Sequence, residues 1–328
     1  MPEISVLMAE CNTPPDYLRE AVESILNQTY TDFEFIIVDD NTSQENKNIL
    51  QEYQQQDARI KLIHNARNYG LTKSLNIGMA SATGQYMARM DSDDVSMADR
   101  LNRQYLYMQE HDDVLVLGGI SQILGTKKIA LKPIDDFEVL KMRMIFYNCA
   151  MVHPTAFINL KRFRELGLQY NESVRKSQDY MLWSDCMMYG RIAVLPEIVL
   201  KTRIHAGQIT QTARGEQQQF SMEIQQKLLR QYFGIALSKE QAKLHYQIIF
   251  GKYDSIAEVE KHFKWLMSVN QERKVFDIRA FKKECYFMWL LMVMKSMLYH
   301  KNFSCLKVGL TWKVFFSVVY WPYYLKYL

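Results

Sequence analysis

Seven segments at the start of this chain alternate between two periodicities, and nothing else in the sequence restricts the fold as much. "ISVLMA" (4–9), "FEFIIVDD" (33–40), "IKLIHN" (60–65) and "QYMARMD" (85–91) are short and largely apolar, the pattern of buried strands. Between them, "YLREAVESILNQ" (17–28), "SQENKNILQEYQQQ" (43–56) and "LTKSLNIGMASA" (71–82) are helix-length and periodic. Such alternation predicts a layered α/β fold on a mostly parallel sheet. In sheets of this kind ligands sit beyond the carboxyl ends of the strands. Those ends carry Asn12, Asp39 with Asp40, Asn68 and the cluster "DSDD" at 91–94, so polar groups from four places are expected on one edge.

Further along, the pattern predicts a helix from Met97 to His111, a strand over "VLVLGGISQIL" (114–124), a helix over "YMLWSDCMMYG" (180–190) and strand again over "IAVLPEIVLKTRIH" (192–205). From Gly207 to Gln219 the composition turns polar and Gln-rich. We therefore expect an α/β domain over 1–215 and an all-helical module over 216–328. "SKEQ" at Ser238 and "SIAE" at Ser255 have the form of capping boxes, and further helices are expected at about 278–299 and 305–320.

At 328 residues with 48% hydrophobic and 23% charged residues, the chain has ample material for a core and none of the signature of disorder. A net charge of +4 makes no case for nucleic acid. Five cysteines without metal-type spacing read as reduced thiols, and the start "MPEISVLMAE" does not read as a leader, so a cytoplasmic location is expected. "CYFMWLLMVM" and "VFFSVVYW" are shorter than the ~20 residues of a membrane span, which leaves peripheral contact with the inner face of a membrane open.

The acids of "DSDD" are either a solvated turn, with Asp94 capping the following helix, or ligands for a hard cation. Asp39 and Asp40 are either a loop turn or acceptors for a group that donates hydrogen bonds, such as ribose hydroxyls or a uracil imide. Taken on its own, Asp179 reads first as the N-cap of the helix that follows it.

Together, "ISVLMAECN", "YLREAVESILNQTYTDFEFIIVDD", "NYGLTKSLNIGMASATGQYMARMDSDD" and "RLNRQ" resemble the family 2 glycosyltransferases, over about residues 3–210. The resemblance implies the GT-A nucleotide-sugar-binding fold and an inverting transfer of one sugar from a nucleoside diphosphate to an acceptor hydroxyl. It identifies Asp91 and Asp93 as the D-x-D pair, with Asp93 on Mn²⁺ or Mg²⁺ and Asp91 on ribose or metal-bound water. It places Asp40, beside Asp39, on the base or ribose of a uridine nucleotide, with Asn12 in support. Asn68 and Gly70 match the Asn-x-Gly loop, Lys73 and Asn76 lie on the helix behind it, and Arg89 is set to meet a diphosphate or neutralise the acids. "SQDYMLW" resembles the acid-Asp motif, which makes Asp179 the catalytic base although Gln178 replaces the first acid. "TRIHAGQIT" resembles a late Arg-x-x-His loop, giving His205 to metal or diphosphate and Arg203 to the diphosphate charge. "VHPT" puts His153 on the acceptor side, and Trp183 either packs on sugar or fills core. The sequence departs at Ala9 and Cys11, where the family has Pro and an aromatic residue.

The expected activity is non-processive transfer of a single hexose from a UDP-sugar, of the UDP-glucose or UDP-galactose type, to a glycan or glycoprotein of a bacterial-type surface. The Gln-x-x-Arg-Trp motif of processive synthases is missing. An inactive scaffold that holds a partner transferase is the alternative, kept open by Gln178 and the altered first loop. The aromatic, Lys-containing C-terminal part is expected to serve a homo-oligomer or acceptor binding, with peripheral membrane contact as the other choice.

Overall fold

The computed structural model describes residues 2–204, 214–315, 317, 320, 325 and 326. The chain divides into two compact units, residues 1–137 with 150–214 and residues 138–149 with 215–328. A single cut at 215/216 therefore misses a segment. Residues 138–149 leave the first unit and return to it, having joined the helices that come after residue 214.

The first unit opens with β1 (Ile4–Glu10), α1 (Pro15–Leu26), β2 (Phe33–Asp39), α2 (Gln44–Gln56), β3 (Ile60–His64), α3 (Leu71–Ser81) and β4 (Tyr86–Asp91). β5 (Val95–Ser96), α4 (Arg100–Glu110) and β6 (Val114–Ile123) follow; α5 (Phe137–Met144) leads out of the unit. β7 (Phe157–Asn159), α6 (Leu160–Leu166), α7 (Gln178–Cys186) and β8 (Arg191–Thr202) complete it. The strands form one eight-stranded sheet in the order β3-β2-β1-β4-β7-β6-β8-β5. β1 runs parallel to β2 and β4, and β2 parallel to β3, as the strand–helix alternation requires. β7 is antiparallel to both β4 and β6. Ile4, Val6, Met8, Phe35, Ile37, Ala88 and Met90 on the central strands pack with Leu18, Val22 and Ile25 of α1 and Ile49 and Leu50 of α2 in one core cluster. Between β6 and β8 the register slips from Gly119↔Leu195 to Ile120↔Ile198. Pro196 sits in that slip, where a residue without an N–H leaves no ladder bond unmade.

The second unit holds α5, α8 (Arg214–Phe233), α9 (Lys239–Ile248), α10 (Ile256–Arg273), α11 (Ile278–His300) and α12 (Gly309–Phe315). Ser238 makes the reciprocal capping box with Gln241. Ser255 accepts the Glu258 amide as an N-cap for α10. The segment 138–149 is held from several sides. Arg143 Nε meets Glu284 Oε2 at 2.8 Å, and its guanidinium lies 4.2 Å from the Phe287 ring centroid. Phe146 stacks on His245 at 5.0 Å, and His245 Nε2 lies 2.9 Å from the Ile145 carbonyl. Such ties explain why the segment leaves the α/β unit: its buried polar groups find partners among the helices. Among the described residues, no helix is long and apolar enough to cross a membrane.

Candidate functional site

The carboxyl ends of β1, β2 and β4 meet as expected, and the site begins with a residue the sequence reading passed over. Glu10, the last residue of β1, is fully buried. Its Oε1 accepts from the Thr13 amide (3.0 Å), the Thr42 hydroxyl (3.0 Å) and the Asn46 amide group (2.7 Å). One carboxylate thus ties the loop after β1 to the loop and helix after β2. Its only signal in the sequence is an acid closing a run of buried apolar residues. Asn12 follows with φ at +58°, in the left-handed region that Asn tolerates better than most side chains. Its amide donates to Thr42 Oγ1 (2.8 Å) and its side-chain oxygen accepts from the Ser43 amide (2.8 Å).

Asp39 and Asp40 divide their work between two loops. Asp39 is fully buried, accepting from the Thr42 amide at 2.7 Å, with His64 Nδ1 at 2.8 Å. It braces the loop and does not present its carboxylate to solvent, whereas the neighbouring His64 side chain is 47% exposed. Asp40 turns the other way. Its oxygens accept from the amides of Tyr69 (2.7 Å) and Gly70 (2.8 Å) and from the Asn65 side chain (2.8 Å). Gly70 has φ at +84°, a conformation that a side chain resists, and it caps α3. Asn68 stands exposed on this loop with its amide group 3.0 Å from the Cys11 sulfur. Burial and the charge of Asp40 raise the Cys11 thiol pKa. Lys73 Nζ lies 4.7 Å from the Tyr69 ring centroid. Asn76 faces away, bonding the backbone of Tyr170 on both sides (2.9 and 3.0 Å).

The acidic cluster is built by a turn. β4 ends at Asp91, and Ser92 to Asp94 turn before β5, so Asp93 lies outside the strand that carries Asp91. The carboxylates still converge. Asp91, Asp93 and Asp94 offer ligand oxygens within 4.8 Å of one another, the one such group among the described residues. Asp94 does not cap α4, whose N-cap is Asp99. It is buried, and accepts the Arg203 amide at 2.9 Å, a bond between residues 109 positions apart. Burial, then the charges of Asp91 and Asp93, push its pKa up to about 8. Asp91 is raised by desolvation as well, with Asp93 and Asp179 adding to the rise and Arg89 opposing it. Asp179 is therefore within electrostatic reach of the cluster.

Two buried guanidinium groups flank these acids. Arg89 pairs with Asp91, yet its Nε and Nη1 are buried with no hydrogen-bond partner. Arg100, from the "RLNRQ" stretch, donates to the Arg89 carbonyl (2.8 Å) and to Gln104 (2.9 Å), and burial lowers its pKa to about 9. Gln104 in turn donates to the Thr155 carbonyl (2.8 Å), so α4 fixes both β4 and the "VHPT" turn. Arg203 is placed differently from the diphosphate role read in the sequence. It donates to the Asp93 carbonyl (3.0 Å), pairs with Glu20 and covers the Tyr17 ring, so it braces the acidic turn against α1.

On the other flank, Asp179 lies in the first turn of α7 and Ser177 is the N-cap, so capping does not account for the acid. His153 Nε2 lies 2.7 Å from the Tyr170 hydroxyl. Desolvation and the Arg89 charge hold the His153 pKa well below the usual imidazole value, which keeps it neutral. Tyr170, another residue the sequence reading missed, senses both Arg89 and Asp179. Trp183 is fully buried and packs edge-on to His153 at 5.9 Å, so it is core and has no open face for a sugar. His205 lies outside the described residues.

The carboxylates fit a divalent cation. They are hard oxygen donors, crowded enough that Asp91 and Asp94 resist ionisation, and a cation would relieve that repulsion. The arrangement combines a place for a cation, backbone and side-chain groups at the strand ends, and one carboxylate on a separate helix.

The description "Glycosyl transferase family 2" matches residues 5–167. An uncharacterized glycosyltransferase of Methanocaldococcus jannaschii is 36% identical over 208 residues, covering 62% of this chain and 71% of that protein. Among solved structures, residues 1–349 of S. aureus TarS in complex with UDP-GlcNAc superpose with a TM-score of 0.61 at 16% identity over 92% of each chain. A mannosyltransferase from Pyrobaculum calidifontis, solved with GDP-Man and Mn²⁺, gives 0.57 at 14% identity over 92% of this chain and 88% of that one.

Proposed function

The chain belongs to glycosyltransferase family 2, with its GT-A fold, and from that premise we propose a metal-dependent, inverting transferase that moves a single hexose from a UDP-sugar to an acceptor hydroxyl. The observation that carries this reading is the approach of Asp179, from α7, to the Asp91–Asp93–Asp94 cluster at the end of β4. An inverting displacement needs charge stabilisation on the leaving side and a base on the attacking side. Two separate elements supply these here.

Asp93 and Asp91 are the proposed metal ligands, with Asp94 beside them. A divalent cation held there would neutralise the charge that builds on the leaving diphosphate. Arg89 pairs with Asp91 and opposes the rise in its pKa, and its unpaired Nε and Nη1 are donors set at the same site. Asp40 and Asn12 shape the loops that receive the uridine, while Asn68 and Lys73 stand exposed beside them. The Asp179 carboxylate takes the proton of the acceptor hydroxyl. As it does so the acceptor oxygen bonds to the anomeric carbon, and the carbon–oxygen bond to the diphosphate breaks with its electron pair on the leaving nucleotide. His153, neutral and bonded to Tyr170, is a polar wall for the acceptor.

The acceptor is read as a glycan or glycoprotein in bacterial-type surface glycan assembly at the cytoplasmic side. The second unit is assigned to contacts outside the donor site: acceptor, a second copy or a membrane surface. The likeness to structures holding UDP-GlcNAc, or GDP-Man with Mn²⁺, supports a nucleotide-sugar donor and a metal. A panel of UDP-sugars tested for UDP release with Mn²⁺ or Mg²⁺ examines the proposal. Metal-dependent release from one of them is the expected result. If calorimetry finds no nucleotide bound at all, the chain is the scaffold that Gln178 and Cys11 leave open.

A further inference from the structure

The last turns of α11 carry large apolar side chains that the helical unit leaves in solvent. Leu298 is 62% exposed and Tyr299 75%, and Met294 lies one turn before Leu298 on the same helix face. Just past the helix, Phe303 is 52% exposed. Exposed Phe250 belongs to the same patch, because Lys295 Nζ donates to the Ile249 carbonyl (2.8 Å) and His300 Nε2 lies 3.0 Å from the Phe250 carbonyl. Single exposed apolar residues are ordinary; five gathered around one helix end mark a contact surface.

The charge around the patch says what kind of contact. Residues 249–254 and 294–308 hold four lysines, Lys252, Lys295, Lys301 and Lys307, against one carboxylate, Asp254. Lys252, Lys301 and Lys307 are exposed, as is His300. From Cys285 to Leu328 the sequence contains no Asp or Glu. A second copy meeting this face across a twofold axis would set the same lysines against one another. A surface of anionic lipid satisfies both halves of the pattern, since apolar and aromatic tips enter the headgroup layer while lysines meet phosphates.

We propose that the C-terminal end of α11, with the Phe250 loop, docks the protein on a membrane of anionic lipid. Leu298, Tyr299 and Phe303 insert, and Lys252, Lys301 and Lys307 supply the attraction. The contact is reversible and interfacial, since no described helix is fit to span. It rests on no assignment of donor, acceptor or base, so its failure and a failure of the transferase reading are separate outcomes.

Sedimentation of the full chain with vesicles is the test, comparing phosphatidylcholine alone with phosphatidylcholine mixed with phosphatidylglycerol. Binding to the mixed vesicles alone is expected, weakening as salt rises. Replacing both Leu298→Glu and Tyr299→Glu is expected to lower binding at least about tenfold. Tyr189→Glu, at an exposed position of the α/β unit, is expected to leave it unchanged. The milder pair Lys301→Gln and Lys307→Gln guards against a folding defect and should weaken binding only to the anionic vesicles. Absence of binding, or equal binding to both lipids, overturns the proposal. So does concentration-dependent self-association in light scattering that Leu298→Glu abolishes, which would assign the face to a second copy.

Discussion

In the helical unit the Arg143 guanidinium meets the Glu284 carboxylate with both side chains at most 3% exposed, and His245 Nδ1 lies 2.8 Å from His262 Nε2. In the α/β unit, Asp91, Asp93 and Asp94 crowd within 4.8 Å while Arg89 keeps two buried donors unpaired. Both regions bury ionisable groups, but the helical unit sets opposite charges against each other while the acidic turn of the α/β unit gathers like charges. A buried carboxylate set against its own guanidinium is architecture, because each charge is met by the other within the chain. Buried charge left beside like charge stores an unmet demand, and a cation or an anion from outside can meet it. The pKa directions separate the two cases. Burial, then like charge, raises Asp91 and Asp94 of the α/β unit, with Asp94 up to about 8. Desolvation instead lowers His245 to about 4 and His262 to about 3, so the pair stays neutral.

The largest expected effect tests whether the open charge does chemistry. Asp179→Asn should leave UDP-sugar binding intact in calorimetry yet slow transfer roughly 10²–10⁴-fold, the usual share of a general base. Transfer at the native rate would remove Asp179 from the role. Next, Asp93→Ala is expected to reduce metal-dependent donor turnover by about 10²–10³-fold, read as UDP release with and without Mn²⁺.

Arg143→Met asks the opposite of the closed pair. It should cost about 3–5 kcal/mol in denaturant unfolding by leaving Glu284 buried without its cation. Donor turnover per folded molecule should not change. Metal itself gives a sharper contrast between the units. At about a hundredfold excess over its dissociation constant, Mn²⁺ should stabilise by ~2.7 kcal/mol, with amide protection rising in residues 88–96 and not in 281–296. Equal protection in both would end the distinction.

The last contrast is the pH response of the histidine pair. Both pKa values are depressed on folding, so their contribution is complete above about pH 6.5 and is lost as pH falls toward about 4. A slope of up to about 2.7 kcal/mol per pH unit, about 1.4 for each histidine, is expected over that window in unfolding experiments, because protons then bind the unfolded chain more strongly. His262→Asn should flatten it.

Much of this was legible in the chain. The strand–helix order from Ile4 to Asp91 followed from apolar spacing alone, since a period of two or of 3.6 is a local property. The capping box at Ser238 was equally local. Motif resemblance named Asp91, Asp93 and Asp179, and folding brings these within electrostatic reach. Other assignments failed where the partner lies far away in sequence. Asp94 looked like a cap because a helix follows it, but its bond is to the Arg203 amide. Arg203 looked like a diphosphate ligand, and its donors are engaged by the acidic turn and by Glu20. Asp39 and Asp40 looked alike, whereas one is enclosed with His64 and the other holds the amides before α3. Glu10 and Tyr170 carried no motif, and only their long-range bonds reveal them.

The sequence by itself determined the order of strands and helices, the edge on which polar residues gather and the family, because each depends on short-range spacing of residue types. Tertiary structure decided which of those residues are braces and which stay open to a ligand. It also moved residues 138–149 into the helical unit. The reason is physical: a buried polar group is assigned by the partner that satisfies it, and that partner is chosen by the fold and not by its neighbours along the chain.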